Sequence, residues 1–299
     1  MNAHDGIVRK LYNNGLLNVE QEFVKDVHYE VITGSTAYGM NISDSSDTDV
    51  VGICIQPLDW IFPFSVGGYI YKFGTNPPTF DVAQQHHILH PSSGKQYDVT
   101  IYGIVKFFQL AAENNPNMCT ILFHPERCIT HIDNIGRLLK TNRKLFLTKH
   151  SFHKFSGYAA SQGKKLRHRK PEGKRADDFD KFGYDLKNAA HLVRLMLEVD
   201  QILTESDLDI ERNSEILKSI RRGEWELDRV ESWFKTKEEA LNILYAKSSL
   251  RHSPDWDGLR ILLLTCLEEK YGSLSGAFNR EVDTRIMRKY EQIRQIIQS

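Results

Sequence analysis

The chain has 299 residues, and its 39 Lys and Arg balance its 39 Asp and Glu. That length is enough for one large domain or two ordinary ones, and zero net charge excludes recruitment to nucleic acid or membranes by bulk electrostatics. Cys54, Cys119, Cys128 and Cys266 form no CxxC pair, and no apolar run nears the ~18 residues of a membrane span. The start, MNAHDGIVRKLYNN, lacks the apolar core of a signal peptide. These features predict a cytoplasmic protein with buried free thiols and no membrane contact.

A short amphipathic helix is predicted around Ile7 to Leu17. VHYEVITG (Val27–Gly34) and DVVGICI (Asp49–Ile55) read as strands, being short, rich in β-branched residues and bounded by Gly, Ser and Asp. Trp60 to Phe80 carries Gly and Pro punctuation and reads as a long connection or flap. FDVAQQHHIL (Phe80–Leu89) and YDVTIY (Tyr97–Tyr102) read as further strands. From Gly103 the period turns helical, with Ile104, Phe107, Phe108 and Ala111 at three- and four-residue spacing. Asn115-Pro116 ends that helix or starts the next.

Beyond this point helices are predicted at Ile132–Thr148, Ser151–Arg169, Phe179–Leu203, Ser214–Arg222, Leu227–Tyr245, Trp256–Tyr271 and Val282–Ile297. The charged stretch His168 to Asp180 reads as a mobile loop. The expected fold class is α+β: a small mixed-sheet domain over residues 1–112, then a mainly helical domain over 113–299 that closes the cleft.

Chemistry concentrates in GSTAYGMNISDSSDTDVVGI, Gly34 to Ile53. Side chains two apart on a strand share a face, so Asp47 and Asp49 point together and Thr48 points away. Two carboxylates so close repel unless a cation lies between them, and Mg²⁺ is held by one or two carboxylates plus substrate phosphates. The apolar run after Asp49 anchors that pair to a core strand. Asp44 reads as a loop or cap residue. Gly34 and Ser35 follow the preceding strand, where a glycine admits close approach of phosphate to backbone amides. Each feature alone is weak. Their order and spacing are more specific: strand, Gly-Ser, about a dozen residues, DxD, strand.

The combination resembles the DNA polymerase β nucleotidyltransferase superfamily, with its hG[GS] turn, DxD pair and third carboxylate on a later strand. Within it, the stretch looks like the RlaP-type predicted nucleotidyltransferases, whose hallmark is approximately GSxAYG followed by SDxDxxG. YDVTIYGIVKFFQLAAENNPNMCTILF, YAASQGKKL, YDLKNAAHLVRLM and ILKSIRRGEW extend the similarity over roughly residues 30 to 235. Val51 stands where this family is expected to carry a basic residue, and Ser45 replaces a small or proline-like turn residue.

The resemblance implies a polymerase β-like domain that transfers a nucleoside monophosphate from an NTP such as ATP to a hydroxyl, releasing pyrophosphate. It implies two Mg²⁺ ions, with Mn²⁺ as the alternative, bridged by Asp47 and Asp49. Resemblance and local pattern together make Asp98, at the start of a strand, the third carboxylate, nearest the attacking hydroxyl. Asp81 is its rival. Gly34 and Ser35 would hold the β- and γ-phosphates. The association with RNA ligases makes an RNA end the implied acceptor. A protein side chain or small molecule is the alternative acceptor, and a non-catalytic nucleic-acid-binding protein the alternative function.

Other candidates carry less. His86 and His87 would face opposite ways on a regular strand, and with His90 they read as surface or satisfied histidines rather than metal ligands. Ser161 to Arg175 holds seven Lys or Arg against one Glu, a track for triphosphate or RNA through Lys164, Lys165, Arg167 and Arg169, or else a solvated face. Lys187, His191 and Arg194 form a polar stripe on an apolar helix that faces either nucleotide phosphates or solvent, and the resemblance implies nucleotide binding by Lys187 and His191. Arg221 and Arg222 read as a basic edge or as a helix end stopped by Gly223. Trp225, Trp233 and Trp256 read as packing residues.

Overall fold

The computed structural model describes residues 5–40, 47–61, 81–168 and 174–274. The turn around Asp44 and Ser45, residues 62–80 of the predicted flap, Arg169 and the rest of 169–173, and the predicted helix Val282–Ile297 lie outside the described residues. So do the side chains of Arg167 and Arg175.

The elements run α1 (Ile7–Asn13), α2 (Gln21–Val24), β1 (Val27–Ile32), α3 (Gly34–Ala37), β2 (Thr48–Cys54), α4 (Leu58–Ile61), β3 (Val82–Leu89), β4 (Gln96–Gly103), α5 (Ile104–Ala112), α6 (Pro116–Ile121) and β5 (Ile129–Ile132). Helices follow: α7 (Asn134–Thr141), α8 (His150–His168), α9 (Lys174–Phe182), α10 (Leu186–Glu205), α11 (Ser214–Arg221), α12 (Leu227–Lys247) and α13 (Trp256–Tyr271). The fold is α+β, as expected.

One sheet of five strands has the order β3-β4-β2-β1-β5. β2 and β4 are parallel and the other neighbours antiparallel, so the sheet is mixed. Both faces are covered, which matches the apolar run Val50–Cys54 of β2 and the burial of successive residues along β1. Val50, Cys54, Val99 and Ile101 meet Val8, Leu11, Phe23 and Val24 of α1 and α2. On the other face Tyr29, Val31, Ile53 and Ile55 meet Ile104, Phe107 and Phe108 of α5. A third core gathers around α10, where Leu192, Val193, Leu195, Met196 and Val199 are all buried. Each such side chain contributes about 1.5–3 kcal/mol when withdrawn from water. α10 packs on α8, α11 and α12.

Local chemistry explains the element ends. Asn115 caps α6 by accepting from the amides of Asn117 and Met118, with Pro116 in the first turn. Asp185 caps α10 through the amides of Lys187 and Asn188. Glu30, buried in β1, accepts from the amides of Ile7 at 2.5 Å and Val8 at 3.1 Å and from the Thr130 hydroxyl at 2.5 Å. It satisfies the start of α1 from inside the sheet, while burial pushes its carboxyl above the usual range.

Several sequence expectations need correcting. Ile132–Thr148 is not one helix: Asp133 caps α7, which follows the edge strand β5, and Arg143–Phe146 forms a 3₁₀ turn. The predicted helix Phe179–Leu203 breaks at Gly183, whose φ of +78° separates α9 from α10. The charged loop is helical from Lys174 on. Trp256 is 63% exposed, whereas Trp225 is buried and donates to Ser219 Oγ. Gly223, at φ +76°, does end the helix that carries Arg221. The division at residue 112 stays a reading of the sequence; β5 lies beyond it and still joins the sheet. All four cysteines are buried and free.

Candidate active site

The parallel pairing of β2 with β4 sets Asp49 directly opposite Asp98. Side chains in register on neighbouring strands project from the same face. Asp47 precedes β2 by one residue and returns to the same place. One oxygen each of Asp47 and Asp98, and one ring nitrogen of His87, lie within 4.8 Å of one another. Asp49 is half-buried, and its carboxyl is raised above the usual range by burial first, then by the charges of Asp98 and Asp47. Lys187 and His86 pull the other way. The three sequence-predicted carboxylates therefore meet at one end of the β2–β4 pair. Asp81 does not join them. Its backbone bonds Gly103, at the far end of β4, roughly 16 Å of strand away, and its side chain pairs with Lys106 at 3.5 Å.

The histidines correct the sequence reading. Two residues of β3 face opposite ways only on a regular strand, and β3 is irregular between Gln85 and Ile88. His87 sits at φ +58°, in the left-handed region, so this bulge turns both rings toward β4. The His87 amide donates to Asp98 Oδ1 at 2.7 Å, and His86 Nδ1 lies 3.5 Å from Asp98 Oδ2. Periodicity carries no signal for such a bulge.

Gly34 also meets this site. It follows β1 at φ +67°, and a Cβ built there would collide with Asp49 Oδ2. The Thr33 amide donates to the Asp49 carbonyl at 2.8 Å, tying the turn to β2. Ser35 comes next in α3. Arg127 donates to the carbonyls of Thr36 at 3.0 Å and Ala37 at 3.4 Å and pairs with Glu211, which holds the far end of the same turn.

α10 presents its polar stripe to this side of the sheet. Lys187 is exposed and acts on Asp49. Arg194 lies over the Tyr38 ring at 4.1 Å and reaches Glu198 Oε1 at 3.8 Å, so the helix grips the residue that ends the Gly34 turn. Tyr38 and Glu198 escaped the sequence reading. Buried Glu198 is pushed up to about 7 by burial. His191 does not carry the charge that a cationic stripe gives it. Burial and the nearby Arg194, Lys187 and Lys165 hold it at about 3, so it is neutral at physiological pH. Lys164 and Lys165 are exposed on α8.

The donor set suits a hard or borderline divalent cation. Carboxylate oxygens predominate, one nitrogen stands beside them, and half-buried Asp49 feels repulsion from Asp98 and Asp47 that a cation would relieve. Among the described residues no helix is long and apolar enough to cross a membrane.

A structure search finds a nucleotidyltransferase-like protein from Exiguobacterium sibiricum at 11% identity and a TM-score of 0.28, covering 78% of this chain and 76% of the other. A search of curated proteins finds no match. The model of the RlaP family, described as the RNA repair pathway DNA polymerase beta family, matches residues 8–249. The chain belongs to this family of polymerase β-type nucleotidyltransferases.

Proposed function

We propose that the chain transfers a nucleoside monophosphate from an NTP to a hydroxyl acceptor, an RNA end, by metal-dependent phosphoryl chemistry. One observation carries this reading: Asp47, Asp49 and Asp98 converge beside Gly34, with Asp49 and Asp98 held in register. In the reaction the acceptor oxygen attacks the α-phosphorus. The bond from that phosphorus to the bridging oxygen breaks, and pyrophosphate leaves.

Asp47 and Asp49 would hold two Mg²⁺ ions between them, and Asp98 would share one. Bound there, such ions supply charge neutralisation at the reacting phosphate and lower the acceptor's pKa. Asp98 accepts the acceptor's proton. The His87 amide on its Oδ1 fixes its orientation. Gly34 lets the chain pass close to Asp49, and with Ser35 it seats the β- and γ-phosphates. Lys187, reaching the carboxylates from α10, offsets phosphate charge, with Lys164 and Lys165 behind it on α8. His191 would meet the nucleotide as a neutral ring rather than as a cation. The helical part of the chain closes the cleft over the sheet edge. Positioning and charge neutralisation carry most of such catalysis, so rigid strands are the right mounts for these groups.

The RNA acceptor is supported by the family description and by the exposed Lys164 and Lys165. The test is incubation with each α-labelled NTP, divalent ion, and RNAs carrying free 5′ or 3′ hydroxyls. Label moving to RNA is the expected result. Label on protein alone would move the acceptor to a side chain, and no label from any NTP would overturn the reading.

A further inference from the structure

Three carboxylates are what the reading above asks for, and the structure adds a nitrogen. We propose that His87 is a ligand of one ion, together with Asp47 and Asp98, and that this position prefers a transition divalent ion such as Mn²⁺ over Mg²⁺. The inference rests on the reading that these carboxylates bind a divalent cation.

Four observations support it. A ring nitrogen of His87 lies within 4.8 Å of donor oxygens on both Asp47 and Asp98, close enough for one ion to span all three. The ring is oriented rather than free: the Gln96 side-chain amide lies 2.7 Å from Nδ1. Outer partners orient a ligating histidine by accepting its other ring N–H, which here requires the Gln96 amide to present its oxygen to Nδ1 and leaves Nε2 for the ion. The backbone of His87 binds the same carboxylate that its ring accompanies, at 2.7 Å from Asp98 Oδ1, so residue and carboxylate move together. Finally, the ring reaches this place only through the left-handed backbone at His87, a conformation that non-glycine residues seldom adopt.

The chemistry sets the preference. Mg²⁺ favours oxygen and six-fold geometry with several waters, whereas imidazole favours first-row transition ions. Two carboxylates and one imidazole lie between these limits, which fits Mn²⁺ better than a soft ion. Among the described residues no nitrogen donor gathers with Asp49 as His87 does with Asp47 and Asp98, so a second ion beside Asp49 would keep the oxygen ligands that Mg²⁺ favours.

The experiment uses the full chain with Mn²⁺ alone and reads pulsed electron paramagnetic resonance together with binding isotherms. Wild type should show nitrogen coupling to the bound Mn²⁺ and should need an excess of Mg²⁺ for displacement. His87→Asn is the informative variant, because Asn tolerates the left-handed backbone and the main-chain bond to Asp98 remains. It should lose the nitrogen coupling and weaken Mn²⁺ binding at least ~10-fold, the scale that even outer partners of a ligand reach. Its melting temperature without metal checks that the fold is intact. His87→Ala provides a second measure with no amide oxygen to substitute for the ring. If Mn²⁺ binds, is lost in Asp98→Asn, and shows no nitrogen coupling, the His87 assignment fails and the carboxylate site stands. If Mn²⁺ does not bind, or binds equally in Asp98→Asn, the carboxylate site fails with it.

Discussion

Asp49 and Asp98 lie opposite each other in the parallel β2–β4 pair, so one hydrogen-bonded register fixes the spacing of two carboxylates that repel. Burial and both neighbouring aspartates raise the Asp49 carboxyl. A raised carboxyl lends stability below its unfolded value and loses it as pH rises through the native one. At neutral pH without metal, its charge is therefore a liability to the fold.

Asp49→Asn removes that liability. In divalent-free buffer at neutral pH the variant should melt above wild type, and added Mg²⁺ or Mn²⁺ should stabilise wild type alone. Thermal melts with and without divalent ion check this. A lower melting temperature for the variant without metal would contradict it.

Gly34 gives a backbone test of the same contact. Gly34→Ala puts a side chain into a left-handed residue, at about 1–2 kcal/mol, and drives its Cβ into Asp49. Both stability and turnover should fall. Gly157 in α8 has open space where its Cβ would stand, so Gly157→Ala should gain about 0.5–1 kcal/mol with turnover unchanged. Denaturant unfolding with parallel assays separates the two.

Lys187 is exposed, and its charge acts on Asp49. Lys187→Ala should raise KM for the NTP while leaving stability within about 0.5 kcal/mol. Steady-state kinetics on the variant check the split. An unchanged KM would place Lys187 outside the nucleotide's reach.

His124 predicts the acid limb of stability. It is buried, its Nδ1 donates to the Thr120 carbonyl at 3.0 Å, and burial lowers it to about 4. A depressed histidine lends stability above its ordinary value, about 6.5, and loses it as pH falls through the native value. Between about pH 6.5 and 4 it should therefore remove about 3 kcal/mol. His124→Gln should flatten that limb in urea unfolding followed across pH. An unchanged limb would mean that the native protein takes up the proton without cost.

Much of this site was legible because strands have a strict period. Alternation put Asp47 and Asp49 on one face, and short runs rich in β-branched residues marked β2 and β4 as strands without naming them as neighbours. The choice of Asp98 over Asp81 came from the family resemblance and the local pattern, and the parallel register supplies its physical reason by placing Asp98 opposite Asp49 at the site's end of β4. His87 was invisible for the opposite reason. A bulge breaks the period on which the sequence reading depends, and two adjacent histidines turn the same way. β5 was missed because a four-residue edge strand has too little pattern to stand out beside α7. The Arg194–Tyr38 stack joins residues 156 positions apart, and helical periodicity cannot name a partner at that range.

The central claim is that Asp49 and Asp98, on two paired strands, and Asp47, just before the first of them, form one phosphoryl-transfer site. The direct measurement is pyrophosphate release from NTP and acceptor by wild type, Asp47→Asn, Asp49→Asn, Asp98→Asn and Asp81→Asn, each shown folded by circular dichroism. The first three variants should lose at least ~10²-fold in turnover, the scale of removing one charge-stabilising group. Asp81→Asn, at the other end of β4, should keep wild-type turnover. Full turnover in any of the first three, or its loss in Asp81→Asn, would contradict the account.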